Sequence, residues 1–278
     1  MEYSKVFPDN RKENLSESKL RQIQLIELRI LEIVSDILDR HQIDYWLDWG
    51  NLLGAVRHSG FIPWDDDIDI GVKYEDYKKI QEILLRELPN DIFLQNSDTD
   101  ESYNSYEGLK LRDKASSIDG SREKNTGIFI EIFPMYKVPN TKIFQKMQIE
   151  LYRIFVSSRI DKSNKFKIKI RRYFSKFITL FISLERLEEK IINMHKLTKN
   201  YLYRHALHSK SKSVDYYFTE NSLFPIGAIE YEGRKFKCPH DVNEYLTIAF
   251  GNYMELPPIE ERKPGHMEID KVIIDYDV

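Results

Sequence analysis

The run Tyr45–Val72, YWLDWGNLLGAVRHSGFIPWDDDIDIGV, decides the fold. Its last third sets Asp67 and Asp69 alternately with Ile68 and Ile70. That alternation predicts a strand over 66–72 with one acidic and one apolar face. Upstream, the pattern predicts a strand over 44–49, a turn at Gly50, a short helix over 51–58 and a loop over 59–64. Two carboxylates one pleat apart repel each other, and keeping both ionised on a half-buried strand calls for a cation between them. Hard oxygen ligands suit Mg²⁺ or Mn²⁺. The aspartates alone also fit a solvated acidic turn, with Ca²⁺ or with no ion. The glycine and distal glutamate of an EF-hand loop are missing.

The residues around the strand sharpen the reading. A glycine where a strand gives way to a helix lets a phosphate approach the backbone, and free N–H groups at a helix start attract anions. Gly50 and Asn51 would then cradle phosphates opposite Asp67 and Asp69. In GIFIEIFP, Glu131 stands between Ile130 and Ile132 and can face the same site as a third carboxylate. Lys110 and Arg112 alternate along LKLRDK, and Arg57 follows the short helix. Each can neutralise phosphate oxygens or simply be solvated.

Outward from this block, helices are predicted over 15–41, opened by an Asn14–Glu17 capping box, and over 74–88. Strands are predicted in IFLQNS, EGLKLRDKAS and GIFIEIFPM. Residues 141–205 read as mostly helical with a basic middle. A hairpin turns at Glu232–Gly233, and a helix ends at Gly251. The expected organisation is a mobile arm over 1–14, a catalytic core over 15–140, a basic amphipathic helical region over 141–210 and a C-terminal part over 211–278. The fold class is α+β.

The chain has 278 residues, a formal net charge of −3 and one cysteine, Cys238. That charge lacks the basic excess of a nucleic-acid binder, and no intramolecular disulfide can form. With no apolar leader and no bilayer-length apolar run, the expectation is a cytoplasmic protein. Residues 165–184, KFKIKIRRYFSKFITLFISL, carry six basic residues and then Phe174, Phe177, Ile178, Phe181 and Ile182 at helical spacing. Such a helix can lie on an anionic membrane surface or pack on its own domain, and KFKIKI also permits a strand.

The Tyr45–Val72 block strongly resembles the opening of the LicD family, phosphocholine transferases of bacterial surface glycans related to fukutin and fukutin-related protein. The likeness continues through LKLRDK and TGIFIEIFPM and returns weakly in YEGRKFKCP, in YLTIAFGNYMELPP, and at Arg262 and His266. It implies a nucleotidyltransferase-like mixed sheet flanked by helices. By position, it implies Gly50 and Asn51 at the nucleotide-binding turn, and Asp67, Asp69 and Glu131 as catalytic and metal-holding carboxylates. Asn51 departs from the family's usual Thr, and Glu131 from its frequent Asp. The resemblance further implies CDP-choline as donor, transfer of phosphocholine to a sugar hydroxyl of a lipid-linked or polymeric glycan such as teichoic acid, lipopolysaccharide or capsule, and release of CMP. Aromatic faces bind quaternary ammonium, so Trp49 and Trp64, with Trp46 behind them, are choline candidates. The alternatives are transfer of phosphoethanolamine or a polyol phosphate, nucleotidyl transfer to a small acceptor, and a membrane-surface scaffold with an inert site.

Overall fold

The computed structural model describes residues 3–103, 108–119, 125–159, 166–207 and 216–277. The chain opens with a single helical turn, α1 (Tyr3–Val6), and then α2 (Lys19–Arg40), whose N-cap is Ser18 rather than Asn14. Residues 3–14 of the stretch expected as an arm are tied to the domain at Tyr3 and Arg11. Tyr3 is buried, and Arg11 is held by Asp9 and by Asp113 at 2.7 Å. An arginine with two carboxylate partners beside backbone carbonyls is a fixed anchor rather than a loose end.

β1 (Tyr45–Leu47) leads into α3 (Trp49–His58), then β2 (Ile68–Lys73) and α4 (Tyr74–Glu87). β3 (Ile92–Gln95), β4 (Leu109–Asp113), β5 (Ser116–Ile118) and β6 (Phe129–Pro139) follow. α5 (Lys142–Arg159), α6 (Phe166–Ile178) and α7 (Leu184–Ile192) form the helical region. The KFKIKI segment is thus helical where described, with Lys165 outside the described residues. β7 (Tyr201–His205) is a strand in a stretch whose spacing reads as helix. Its aromatic sequence YLYRH pairs with the far half of β6, and that tertiary pairing overrides local pattern. The remainder is α8 (Glu220–Leu223), the hairpin β8 (Gly227–Tyr231) and β9 (Arg234–Cys238), α9 (Val242–Phe250) and β10 (Val272–Ile274). The hairpin turns at Glu232 and Gly233, both at positive φ, as the sequence predicts.

The main sheet runs β1-β2-β6-β4-β3, with β7 on β6. β2 and β6 are parallel and the other pairs antiparallel, so the sheet is mixed. One face is the core: Ile68, Ile70, Ile130, Ile132, Leu109 and Leu111 are fully buried, in one cluster with Ile23, Ile30 and Val34 of α2. Opposite pleats carry the polar residues. Register aligns Asp69 with Glu131, Glu131 with Lys110, and Lys110 with Gln95, making one polar row across four strands. A second, smaller cluster joins β6 to α5 and α7 through Tyr136, Val138, Tyr152 and Phe155. No helix among the described residues is long and apolar enough to cross a membrane.

Candidate active site

The polar row meets the N-terminus of α3 and the loop before β2. Asp48 caps α3, accepting from the Trp49 amide at 3.0 Å, and is fully buried. Its other contacts are Tyr245, which donates to it, and His205 at 3.4 Å. Burial raises its pKa, opposed first by His205. The turn expected at Gly50 is therefore the first turn of the helix itself, and the positive φ falls on Trp49.

Gly50 and Asn51 serve the acidic strand directly. A Cβ on Gly50 would stand 2.7 Å from Asp65 Oδ2, so the glycine makes room for a carboxylate. The Asn51 amide donates to Asp67 O at 3.0 Å, and its Oδ1 accepts from Asp69 N at 2.5 Å. Both ends of that side chain are engaged with the backbone of residues 67 and 69, so any contact to a phosphate would come from the backbone at the start of α3. Arg57 lies in the last turn of α3, about 9 Å along the helix from Asn51, and its Nη1 donates to the carbonyls of Tyr253 and Glu255. Arg112 is buried, bonded to Gln95 and to Gly127 O, with its guanidinium 4.8 Å from the Phe129 ring. It lies on the same face as the row, one pleat from Lys110, and its charge acts on Glu131. Lys110 remains at the site, 3.6 Å from Glu131 and 3.7 Å above Phe129.

Asp65, Asp67, Asp69 and Glu131 converge. Burial, then Asp67, pushes the Asp65 carboxyl up to about 7. Burial, then Asp67 and Glu131, holds Asp69 well above the usual carboxylate range, and its Oδ1 is buried without a hydrogen-bond partner. Burial also raises Glu131, against the opposing field of Lys110. His266 closes the cluster with Nδ1 2.6 Å from Asp67 Oδ2, and that hydrogen bond lifts its pKa to about 9. Mutual repulsion and an orphaned, buried carboxylate oxygen are what a hard divalent cation would relieve. As they stand, no group of three His, Cys, Asp or Glu side chains among the described residues is close enough to enclose one.

Sequence reasoning missed three features. Asp66 is fully buried and accepts from the backbone amides of Gly265, His266 and Met267. It fixes the C-terminal segment so that His266 meets Asp67, a contact across 199 residues of chain for which no local pattern exists. Asp48 was hidden as an ordinary strand-end residue. Glu27 of α2 is fully buried below the cluster with both carboxyl oxygens unpartnered, and it sits at a position that helical spacing assigns to core. Trp49 packs among His205, Tyr216 and Phe250, with ring centroids 5.0, 5.6 and 6.3 Å away. Trp64 already carries a cation, Arg262, 5.5 Å from its ring centroid. Trp46 is fully buried against Gly71 and belongs to the core.

Residues 42–161 match the family described as LicD/FKTN/FKRP, nucleotidyltransferase domain. The lipopolysaccharide cholinephosphotransferase LicD of Haemophilus influenzae is 29% identical over 263 residues, 90% of this chain and 96% of that one. Human ribitol 5-phosphate transferase FKRP is 42% identical over 50 residues, 18% of this chain and 10% of that one. Among solved structures, the lincosamide adenylyltransferase LnuA with lincomycin bound covers 77% of this chain and 78% of that chain at 12% identity and a TM-score of 0.32, too distant to carry detail.

Proposed function

We propose, from the premise that this chain belongs to the LicD family through its nucleotidyltransferase domain, that it transfers phosphocholine from CDP-choline to a sugar hydroxyl of a cell-surface glycan precursor. The observation that carries the reading is the convergence of Asp65, Asp67, Asp69 and Glu131 around an unsatisfied Asp69 oxygen. Similarity to a lipopolysaccharide cholinephosphotransferase along nearly the whole chain supports the choice of transferred group.

Asp67 and Asp69 would hold Mg²⁺ or Mn²⁺, which when bound would supply Lewis-acid neutralisation of a diphosphate. Lys110, beside Glu131, would offset charge on the departing nucleotide. The acceptor oxygen forms a bond to the choline-bearing phosphorus while the bond from that phosphorus to the bridging oxygen breaks, and CMP leaves with the electron pair. Glu131, whose pKa burial raises, takes the hydroxyl proton. Asn51, Asp66 and the α3 N-terminus act by holding β2 and His266 in place. Trp49 is the better of the two choline candidates, since Arg262 occupies Trp64.

The family also includes proteins named as ribitol 5-phosphate transferases, so a polyol phosphate donor is the alternative. Phosphorus NMR of the purified chain with CDP-choline, Mg²⁺ and a lipid-linked glycan fraction separates the two. The expected result is growth of CMP and of a new phosphodiester signal, with the rate at least about a hundredfold lower in Asp67→Asn. Inertness toward CDP-choline with consumption of a CDP-polyol would replace phosphocholine by polyol phosphate. Pyrophosphate release from a nucleoside triphosphate would instead mean nucleotidyl transfer.

A further inference from the structure

In an ordinary surface helix the apolar stripe faces the core and the polar side faces water. α6 reverses this. Phe166, Ile170, Tyr173, Phe174 and Phe177 share one stripe about 100° wide at about 100° per residue, and all five are exposed. Past the helix end, Leu180 and Phe181 continue the patch, and across these seven residues exposure runs from 49% to 77%. The opposite side of α6 meets α5. There Ser175 is fully buried and Arg171 pairs with Glu150 at 2.8 Å. Ile178 and Ile182, expected on the same face as the phenylalanines, instead pack with the second core cluster. The phenylalanines point away from the protein.

An apolar patch of this size on a helix implies an external partner. The charge around it selects the kind. Lys169 and Lys176 flank the stripe on one side and both are exposed. An antiparallel two-fold pairing of the stripe with a second copy would bring the lysine edges of the two helices together, where they repel. An anionic surface pairs them. A face with protruding phenylalanine and leucine and a lysine border is the arrangement of a helix that lies in the headgroup layer. Phe177 and Phe181 already touch, with centroids 5.4 Å apart, so they present one preformed apolar wedge.

We propose that the outward face of α6, continued by Leu180 and Phe181, is a docking surface for an anionic lipid bilayer. The contact is peripheral and reversible, and it is independent of which group the active site transfers.

The test is flotation of the purified full chain with phosphatidylcholine vesicles, with and without about one-third phosphatidylglycerol, at physiological salt. The expected result is flotation with the anionic vesicles and not with the neutral ones. F177S/F181S removes two exposed phenylalanines and is expected to weaken partitioning about a hundredfold or more. K169Q/K176Q is expected to weaken it about thirtyfold, since each basic residue near such a surface is worth about fivefold. Circular dichroism checks the fold of both variants, and the lysine variant stands alone if the phenylalanine variant fails to fold. No binding of the unaltered chain to anionic vesicles overturns the proposal. So does unchanged binding by both variants. A dimer seen by light scattering that F177S/F181S dissociates, without vesicle binding, reassigns the face to self-association and overturns it as well.

Discussion

Asn51 is a small residue with a double duty, because its amide accepts from Asp69 N and donates to Asp67 O at once. An alanine there leaves a buried N–H and a buried carbonyl without partners. Each unmade bond in such a place costs about 1–3 kcal/mol. Asn51→Ala is therefore expected to lose about 2–4 kcal/mol in urea unfolding, and to lower turnover by releasing the Asp67–Asp69 segment. Asn51→Thr, with one hydroxyl, can replace one of the two bonds and is expected to fall between. Equal stability of Asn51→Ala and the unaltered chain would show that β2 does not depend on this side chain. The acidic strand itself was legible from two-residue alternation, and the Glu131 position from one carboxylate between two isoleucines. What Asn51, Arg57 and Arg112 bond to was not legible. Each lies beside the site in sequence, but the nearest unsatisfied partners of their polar groups belong to segments that only folding brings close.

At the scale of elements, α2 shows where pattern and energetics part. Its spacing marks Glu27 as core, and it is fully buried with neither oxygen partnered. Burial, then the charges of Asp67, Asp66 and Asp65, holds its pKa well above 4.5. The folded state thus retains a proton that the unfolded chain gives up near that value. Titration adds nothing to the cost of this buried carboxyl below about 4.5 and adds an increasing cost as pH climbs toward the folded value. Glu27→Met, close in volume and apolar, is expected to raise stability by about 1–4 kcal/mol at pH 8. The gain should be smallest near pH 4.5, and urea unfolding at the two pH values reads it. A gain that does not change with pH would trace to packing instead, and a loss would mean that Glu27 supports the acidic loop. The helices, the hairpin and the four central strands followed from periodicity and turn residues. The start of α2, the strand β7 and the outward face of α6 did not. Ser18 and Asn14 are both good caps, β7 exists because β6 offers it an edge, and periodicity gives a helix two faces without saying which one is inside.

Across the whole molecule, the two ends of the chain fasten the centre. Arg11 reaches Asp113 and the carbonyls of Ala115 and Asp275, while the Asp275 amide donates to Ala115 O and β10 pairs with β5. Between these clamps, Asp66 captures the amides of residues 265–267 and presents His266 to Asp67. The site is therefore closed by the last part of the sequence, far from the block whose pattern announces it. Ending the chain at Pro264 removes β10, His266 and every amide partner of the buried Asp66 carboxylate. A buried charge stripped of its partners costs about 3–5 kcal/mol, so the truncated chain is expected to melt well below the full one and to lose turnover. His266→Ala separates the two effects, because it keeps the backbone amides on Asp66 and removes only the imidazole beside Asp67. That variant should unfold within about 1 kcal/mol of the unaltered chain, since a half-exposed ion pair is worth little, yet turn over more slowly. Thermal unfolding and turnover of both proteins check the argument. If the truncated chain keeps the stability of the full one, the Asp66 anchor does not hold the site together; if His266→Ala keeps full turnover, the histidine only fills space beside the acidic cluster.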